Sequence, residues 1–305
     1  MSSEPTTTAP APAQRGQDVI HNIGYRRYEG QRLGRSYARR SLFIQSLRGA
    51  FGLGRSAKSK VLPMILLAAT SLPAAIVVAV SVATNADELP VGYPEYVLLL
   101  QPVIGIFLAA VAPQMVSLDL RFKTTPLYFS RPIERSDYVA AKYAALSAAV
   151  FVVIAAPVVI MYAGAMLAKL DFGDETKGFF QGLVFCVVFA LLHAALAAYL
   201  AALTPRRGFG IAAVIVVLTV PYFLMSALQA IADEQDSLSA VGWLALGSPG
   251  TLMDGLQSKF LGGASGFPGG HGLSNAQGAL SLLVIAALIA GSYALLSRRY
   301  RKAGL

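Results

Sequence analysis

Six uninterrupted apolar blocks constrain this chain more than anything else in it: Val61–Ala83, Tyr96–Leu118, Val139–Leu167, Phe179–Leu203, Gly208–Ala232 and Ala279–Ser297. Each carries few or no charges. A helix needs about 20 apolar residues to cross a bilayer core of roughly 30 Å. Within that core every backbone N–H and C=O must be paired inside the segment, which selects helices or closed barrels. The blocks therefore predict six transmembrane helices. Only 13 % of the 305 residues are charged and 55 % are hydrophobic, against about 25 % charged in soluble domains, so a water-soluble enzyme is excluded.

Charge placement sets the expected topology. The formal net charge is +9, from 25 Lys and Arg against 16 Asp and Glu. Eleven basic residues precede the first block. Arg121, Lys123, Arg131, Arg135 and Lys142 surround the second connection, Arg206 and Arg207 the fourth, and Arg298, Arg299, Arg301 and Lys302 form the tail. The opposite side holds only Lys169, Lys177 and Lys259, with acids that include Asp87, Glu88, Glu95, Asp171, Asp174, Glu175, Asp233, Glu234 and Asp236. Cytoplasmic loops concentrate Lys and Arg, so both termini of this multi-pass protein are expected in the cytoplasm, with an even number of spans. The positive charge is then explained without nucleic acid, and it can attract anionic membrane lipids.

The expected fold class is an all-α integral membrane protein: six spans preceded by a cytoplasmic interfacial helix, with short extracellular helices before the last span. Residues 1–24 read as a disordered cytoplasmic tail. They begin rich in Ser, Thr, Pro and Ala and lack the apolar core of a cleavable signal peptide. Residues 25–60 form a basic amphipathic segment in which Leu33, Tyr37, Ile44, Leu47 and Phe51 recur at helical steps, widened by Leu42 and Phe43. Arg35, Tyr37, Arg39, Ile44, Leu47 and Phe51 are the expected membrane-interface residues; the plainer alternative is a short cytosolic helix packed on the bundle. Gly52, Gly54 and Ser56 lack the lysine and spacing of a phosphate loop. Residues 61–297 are the transmembrane domain and 298–305 a basic tail.

Two connections are too long for simple turns. Residues 119–137, DLRFKTTPLYFSRPIERSD, contain Pro132, with Glu134 placed for the first turn of a short helix. Such a helix suits docking into a groove on a soluble partner. Residues 233–278 are expected outside, with short helices at Val241–Leu246 and Thr251–Phe260, Trp243 at an interfacial belt, and a glycine-rich return loop.

Chemistry is sparse inside the blocks. His193 among alanines and Gln101 are the conspicuous polar groups; structural bonding is favoured for both, and both are kept as substrate-pathway candidates. Gln114 and Asp119 lie nearer the cytoplasmic end. No paired carboxylates fall inside the apolar blocks, no serine sits in a glycine-bracketed nucleophile turn, and Cys186 is the single cysteine, so no catalytic or metal residue is assigned. Pro63, Pro73, Pro102, Pro113, Pro157 and Pro221 are read mainly as ordinary bends.

The ordered set Pro126-Leu127, Ser130-Arg131-Pro132, Arg135, Asp137-Tyr138 and Lys142 resembles the first cytoplasmic segment of ABC-type export permeases of the type-2 superfamily. The interfacial helix, six spans and late extracellular helices resemble that family as well, over roughly residues 25–302. The Ala- and Arg-rich usage and the segment Gly24–Gly34 resemble actinobacterial proteins. The resemblance implies a permease subunit of an ATP-binding cassette exporter, paired with a second permease as homodimer or related heterodimer. The chain itself would bind no cofactor and would not be an enzyme; ATP and Mg would sit on a separate cytosolic ABC ATPase. It further implies that Pro126, Leu127, Phe129, Arg131, Pro132, Arg135 and Asp137 form the coupling interface. Two other classes stay open on the sequence alone: an ion-coupled secondary transporter working through His193, and a non-transport membrane scaffold.

Overall fold

A computed structural model of the chain describes residues 30, 33–129, 133–203 and 207–303. The expected tail and most of residues 25–32 lie outside the described residues, as do Ser130, Arg131 and Pro132. The chain divides into two units, residues 1–33 and Gly34–Leu305. Only Gly30 and Leu33 of the first are described; every helix belongs to the second.

The elements of this second unit are all helical among the described residues. They are α1 (Arg35–Ala50), α2 (Ala57–Thr84), α3 (Tyr93–Leu99), α4 (Gln101–Ala112), a π turn (Pro113–Ser117), α5 (Leu118–Arg121) and α6 (Thr125–Phe129). Next in the chain are α7 (Arg135–Leu167), α8 (Phe172–Leu203), α9 (Arg207–Glu234), α10 (Leu238–Leu244), α11 (Pro249–Phe260) and α12 (Asn275–Ala303). Six helices are long and apolar enough to cross a membrane: α2, α4 continued through the π turn into α5, α7, α8, α9 and α12.

The second span departs from its expected start. It begins at Gln101 rather than Tyr96, because α3 stops at Leu99 and Leu100 caps it with ψ near 0. Pro102 has no N–H to bond the Leu98 carbonyl, and its ring crowds the preceding turn, so one apolar block becomes two helices. Pro113 acts lower in the same span. With its donor missing, the helix widens into the π turn, and the Leu118 N–H bonds back to the Pro113 carbonyl, a local device common at functional sites. Pro63, Pro73, Pro157 and Pro221 sit inside continuous helices. Beside Pro73, the Tyr96 hydroxyl donates to the Thr70 carbonyl at 2.6 Å.

α7 and α8 form the centre. Ala141, Ala145 and Ala149 on α7 and Ala190, Ala194, Ala197, Ala198 and Ala201 on α8 are buried, and small side chains allow the close backbone approach that drives packing in lipid. Gly164 lets α2 approach as near: a Cβ there would lie 2.4 Å from a Val78 methyl. α2 and α9 lie at the margin, exposing Leu72, Ile76, Val216, Val220 and Phe223 to whatever surrounds the bundle.

A candidate coupling interface at the basic end

Helix α1 runs beside the first turns of α7 at the end of the bundle where the arginines cluster. Leu42, Ser46 and Ala50, four residues apart, are buried, with Ala38, Phe43 and Leu47 packed around them. Phe51 meets the Phe107 ring at 6.1 Å. Tyr37 and Ile44 are exposed on the opposite side. At 3.6 residues per turn the apolar residues of α1 thus serve two faces, not the single face expected from their spacing.

Charge fixes α1 in place. Arg35 bonds both Glu134 and Asp137, and Arg39 Nη1 lies 3.7 Å from Asp137 Oδ1. Asp137 occupies the first turn of α7, where helix-terminal N–H groups favour an anion, and its Oδ2 also accepts from the Glu134 N–H at 3.4 Å. Its side chain is only 7 % exposed, so it faces α1 and not solvent.

A second network lies one turn further in. Asp119, just beyond the π turn, is 2.8 Å from Lys142 Nζ, with side chains 17 % and 10 % exposed respectively. A lysine near the end of a span ordinarily snorkels outward; Lys142 turns inward because a carboxylate is in reach. The Tyr138 hydroxyl donates to the same carboxylate, and Lys142 sits 5.5 Å from the centre of the Tyr138 ring. Tyr128 and Tyr300 each lie 5.2 Å from that ring and Phe129 6.0 Å. Tyr300 donates to the Val116 carbonyl at 3.2 Å, and Ser117 to the Ala201 carbonyl of α8. The connection after span two is thereby joined to α7, α8 and α12.

Two large apolar side chains also face outward, beside exposed Arg121 and Lys123. Leu127 is 70 % and Phe122 64 % exposed. Arg135 stacks over Phe129 at 5.7 Å and donates to the Arg301 carbonyl at 3.4 Å. Beside them a groove of about 720 Å³ is lined by Phe129, Ile133, Glu134, Tyr293, Ser297 and Arg301, among others. Pro126 lies in α6, with its side chain outside the described residues. Phe122, one of three aromatics in residues 119–137, was not among the expected coupling-interface residues; its only signal was an aromatic between Arg121 and Lys123.

A family sequence model described as ABC-2 family transporter protein matches residues 30–305. The chain belongs to the ABC-2 transporter family. No curated protein matches it. Family and fold together make it a permease subunit, the transmembrane component of an ABC-2 transport system. Membership implies association with a cytosolic ATPase and a paired permease. Among the described residues no group of three or more His, Cys, Asp or Glu is placed to hold a metal.

The two pathway candidates of this permease are not brought together. Gln101 opens α4, its Nε2 3.5 Å from the Leu218 carbonyl, while its Oε1 is buried with no partner among the described residues. His193 is buried in α8, its ring stacked on Phe189 at 3.8 Å and Nδ1 3.0 Å from the Phe189 carbonyl. That position is ten residues, about 15 Å, from the basic end of α8.

At the acidic end of the permease, α10 and α11 lie close to where they were expected. Ser248 caps α11 by accepting from the Thr251 N–H at 3.0 Å. The glycine-rich return is not loose: Asp254 Oδ1 accepts from the Gly266 N–H at 3.0 Å, and Gln257 Nε2 donates to the Ala264 carbonyl at 3.0 Å. The approach is close: a Cβ at Gly266 would come within 2.6 Å of Asp254 Oδ2, so that carboxylate would have to shift. Burial raises the Asp254 carboxyl above the ordinary carboxylate range, against the Gly266 N–H and Gln257 amide that favour its charged form; Glu95 adds to the rise. A raised folded pKa contributes stability below the unfolded pKa, and that contribution is lost as pH rises through the folded value. Amide exchange over residues 249–273 is therefore expected to quicken, beyond its intrinsic pH dependence, as pH rises through the Asp254 titration. Asp254→Asn, which keeps an acceptor for Gly266, should flatten that dependence. An unchanged profile in the variant would remove Asp254 as its source.

Proposed function

We propose that the basic end of this permease faces the cytoplasm of a bacterial plasma membrane, with both termini there, and that residues 119–137 dock into a groove on a cytosolic ABC ATPase. Leu127 and Phe122 are the apolar anchors; Pro126, Phe129, Arg131, Pro132 and Arg135 are the further contacts that the docking segment supplies in its sequence. Asp137 acts from inside, tying the docking segment to α1 through Arg35 and Arg39. The single observation that carries this proposal is that pair of ion-paired networks. A push on residues 119–137 would be delivered to α1, α5, α7 and α12 together and not absorbed by a slack loop.

ATP and Mg are held by the partner ATPase. Two permeases, identical or closely related, line the path between them. Nucleotide binding draws the ATPases together and shifts the permease pair toward an outward-open arrangement; hydrolysis releases it. This is a population shift driven by differential binding, with no bond made or broken by this chain. The few polar groups within the spans suit export of a hydrophobic or amphipathic cargo.

Orientation is tested with single cysteines in full-length protein, with buried Cys186 as a quiet background. A membrane-impermeant maleimide added to intact cells should label Asp87→Cys and spare Lys302→Cys, both exposed positions. The reverse pattern would invert the permease and remove the docking segment from the ATPase.

A further inference from the structure

Helix α1 divides its arginines into two sets. Arg35 and Arg39 face Glu134 and Asp137. Arg40 and Arg48 lie on the opposite face, eight residues and about 12 Å apart along the axis, with Ile44 midway and Tyr37 beside them. Neither has an ion-pair or hydrogen-bond partner among the described residues, although acids on α7 satisfy the other set. The turn into α2 adds a third cation. Gly52 has φ +67°, and a Cβ there would overlap the Ser59 carbonyl at 2.3 Å, so only glycine permits so tight a reversal. That turn folds Leu53, Gly54 and Arg55 back along α1, where Arg55 reaches the Gln114 amide oxygen at 3.5 Å.

The outcome is a groove of about 680 Å³ lined by Tyr37, Arg40, Ile44, Arg48, Leu53 and Arg55 with intervening polar residues and no acid. Tyr37, Ile44 and Leu53 are exposed, so the groove combines three cations with an apolar floor. A phosphodiester bearing an acyl chain matches both properties: the phosphate meets the guanidinium forks and the chain covers the apolar side. A soluble anion would leave those three side chains in water.

We propose that this groove is a binding site for an anionic phospholipid. The opposite face of α1 belongs to the protein, so one helix joins the bundle to a lipid headgroup. The leaflet involved, the inner one, rests on the orientation proposed above; the site itself does not.

The test uses the full-length permease in micelles containing equimolar phosphatidylglycerol and phosphatidylcholine, with retained lipid counted by native mass spectrometry. The protein is expected to retain phosphatidylglycerol selectively, and retention should fall with ionic strength. The triple variant R40Q/R48Q/R55Q should weaken retention by about 100-fold. Ile44→Glu, at an exposed position where folding is insensitive, should do the same by placing a carboxylate between the arginines. Arg298→Gln, at the far end of the chain, should leave it unchanged. Equal retention of the two lipids, or undiminished retention by Ile44→Glu, overturns the proposal. So does displacement of the lipid by an equal concentration of glycerol phosphate, which would mark a site for soluble anions. Micelles have no sidedness, so an inverted orientation would leave this result intact and a failed site would leave the orientation intact.

Discussion

Replacing Leu127 and Phe122 together by aspartate should abolish recovery of the ATPase with the permease and, with it, ATP-dependent transport. Both side chains stand mostly in solvent at the basic end, and large exposed apolar groups set among charged ones mark an interaction surface. Anchors of this kind dominate interface energies, each commonly worth about 2 kcal/mol or more. Carboxylates in the same pockets would add a desolvation cost. The combined loss of affinity is expected to be about 100-fold or greater, discounted for the non-additivity of neighbouring anchors. Thermal unfolding of the permease alone should hardly move, because neither side chain is part of its core. Phe172→Asp, an equally exposed position at the acidic end, should leave ATPase recovery untouched. Normal recovery with the double variant would show that residues 119–137 do not carry the contact.

The second large effect concerns stability. Lys142→Met is expected to cost about 3–5 kcal/mol, the usual consequence of removing one member of a buried ion pair. Asp119 would remain nearly enclosed, left with the Tyr138 hydroxyl and, at 3.5 Å, the Thr124 hydroxyl as neutral donors. Combining Lys142→Met with Asp119→Asn should recover most of that loss, since the amide is neutral and still accepts from Tyr138. Denaturant titration of the purified protein in mixed micelles provides the measurement. A single variant within about 1 kcal/mol of the parent would mean that water reaches the pair and that it does not hold the docking segment. If the double variant is stable but transport is slow, the pair contributes to transmission as well as to folding.

The spans were legible because length and apolarity are properties of single segments. The break at Leu100 was not, because hydropathy is blind to the donor that Pro102 removes. The two late helices were also visible, as short apolar runs between polar ones. The pinning of the glycine-rich return was not, since it depends on Gly266 meeting Asp254 across twelve residues of chain. At the candidate interface the residue types were readable and their roles were not. Asp137 looked like one more charge on a docking loop, and its partner Arg35 lies 102 residues earlier. Lys142 looked like an interfacial lysine until Asp119 was brought beside it by the π turn. A helical wheel of α1 puts Arg40 and Arg48 on a different side from Arg35 and Arg39; only the position of α7 shows which of the two pairs has acids to meet.

The widened turn at Pro113–Ser117 makes this region tolerant of losing one residue and intolerant of gaining one. Each residue of an α-helix advances the winding by about 100°, and the wide turn already accommodates one residue beyond the regular count. Deleting one of Gln114 to Leu118 would return the segment to regular winding with Asp119 still near Lys142, whereas inserting one would swing the carboxylate a quarter-circle or more away while leaving the hydropathy profile of the span almost unaltered. Chains that keep this carboxylate–ammonium contact should therefore carry four or five intervening residues between the proline and the aspartate, a spacing that can serve as a search pattern where overall similarity has faded.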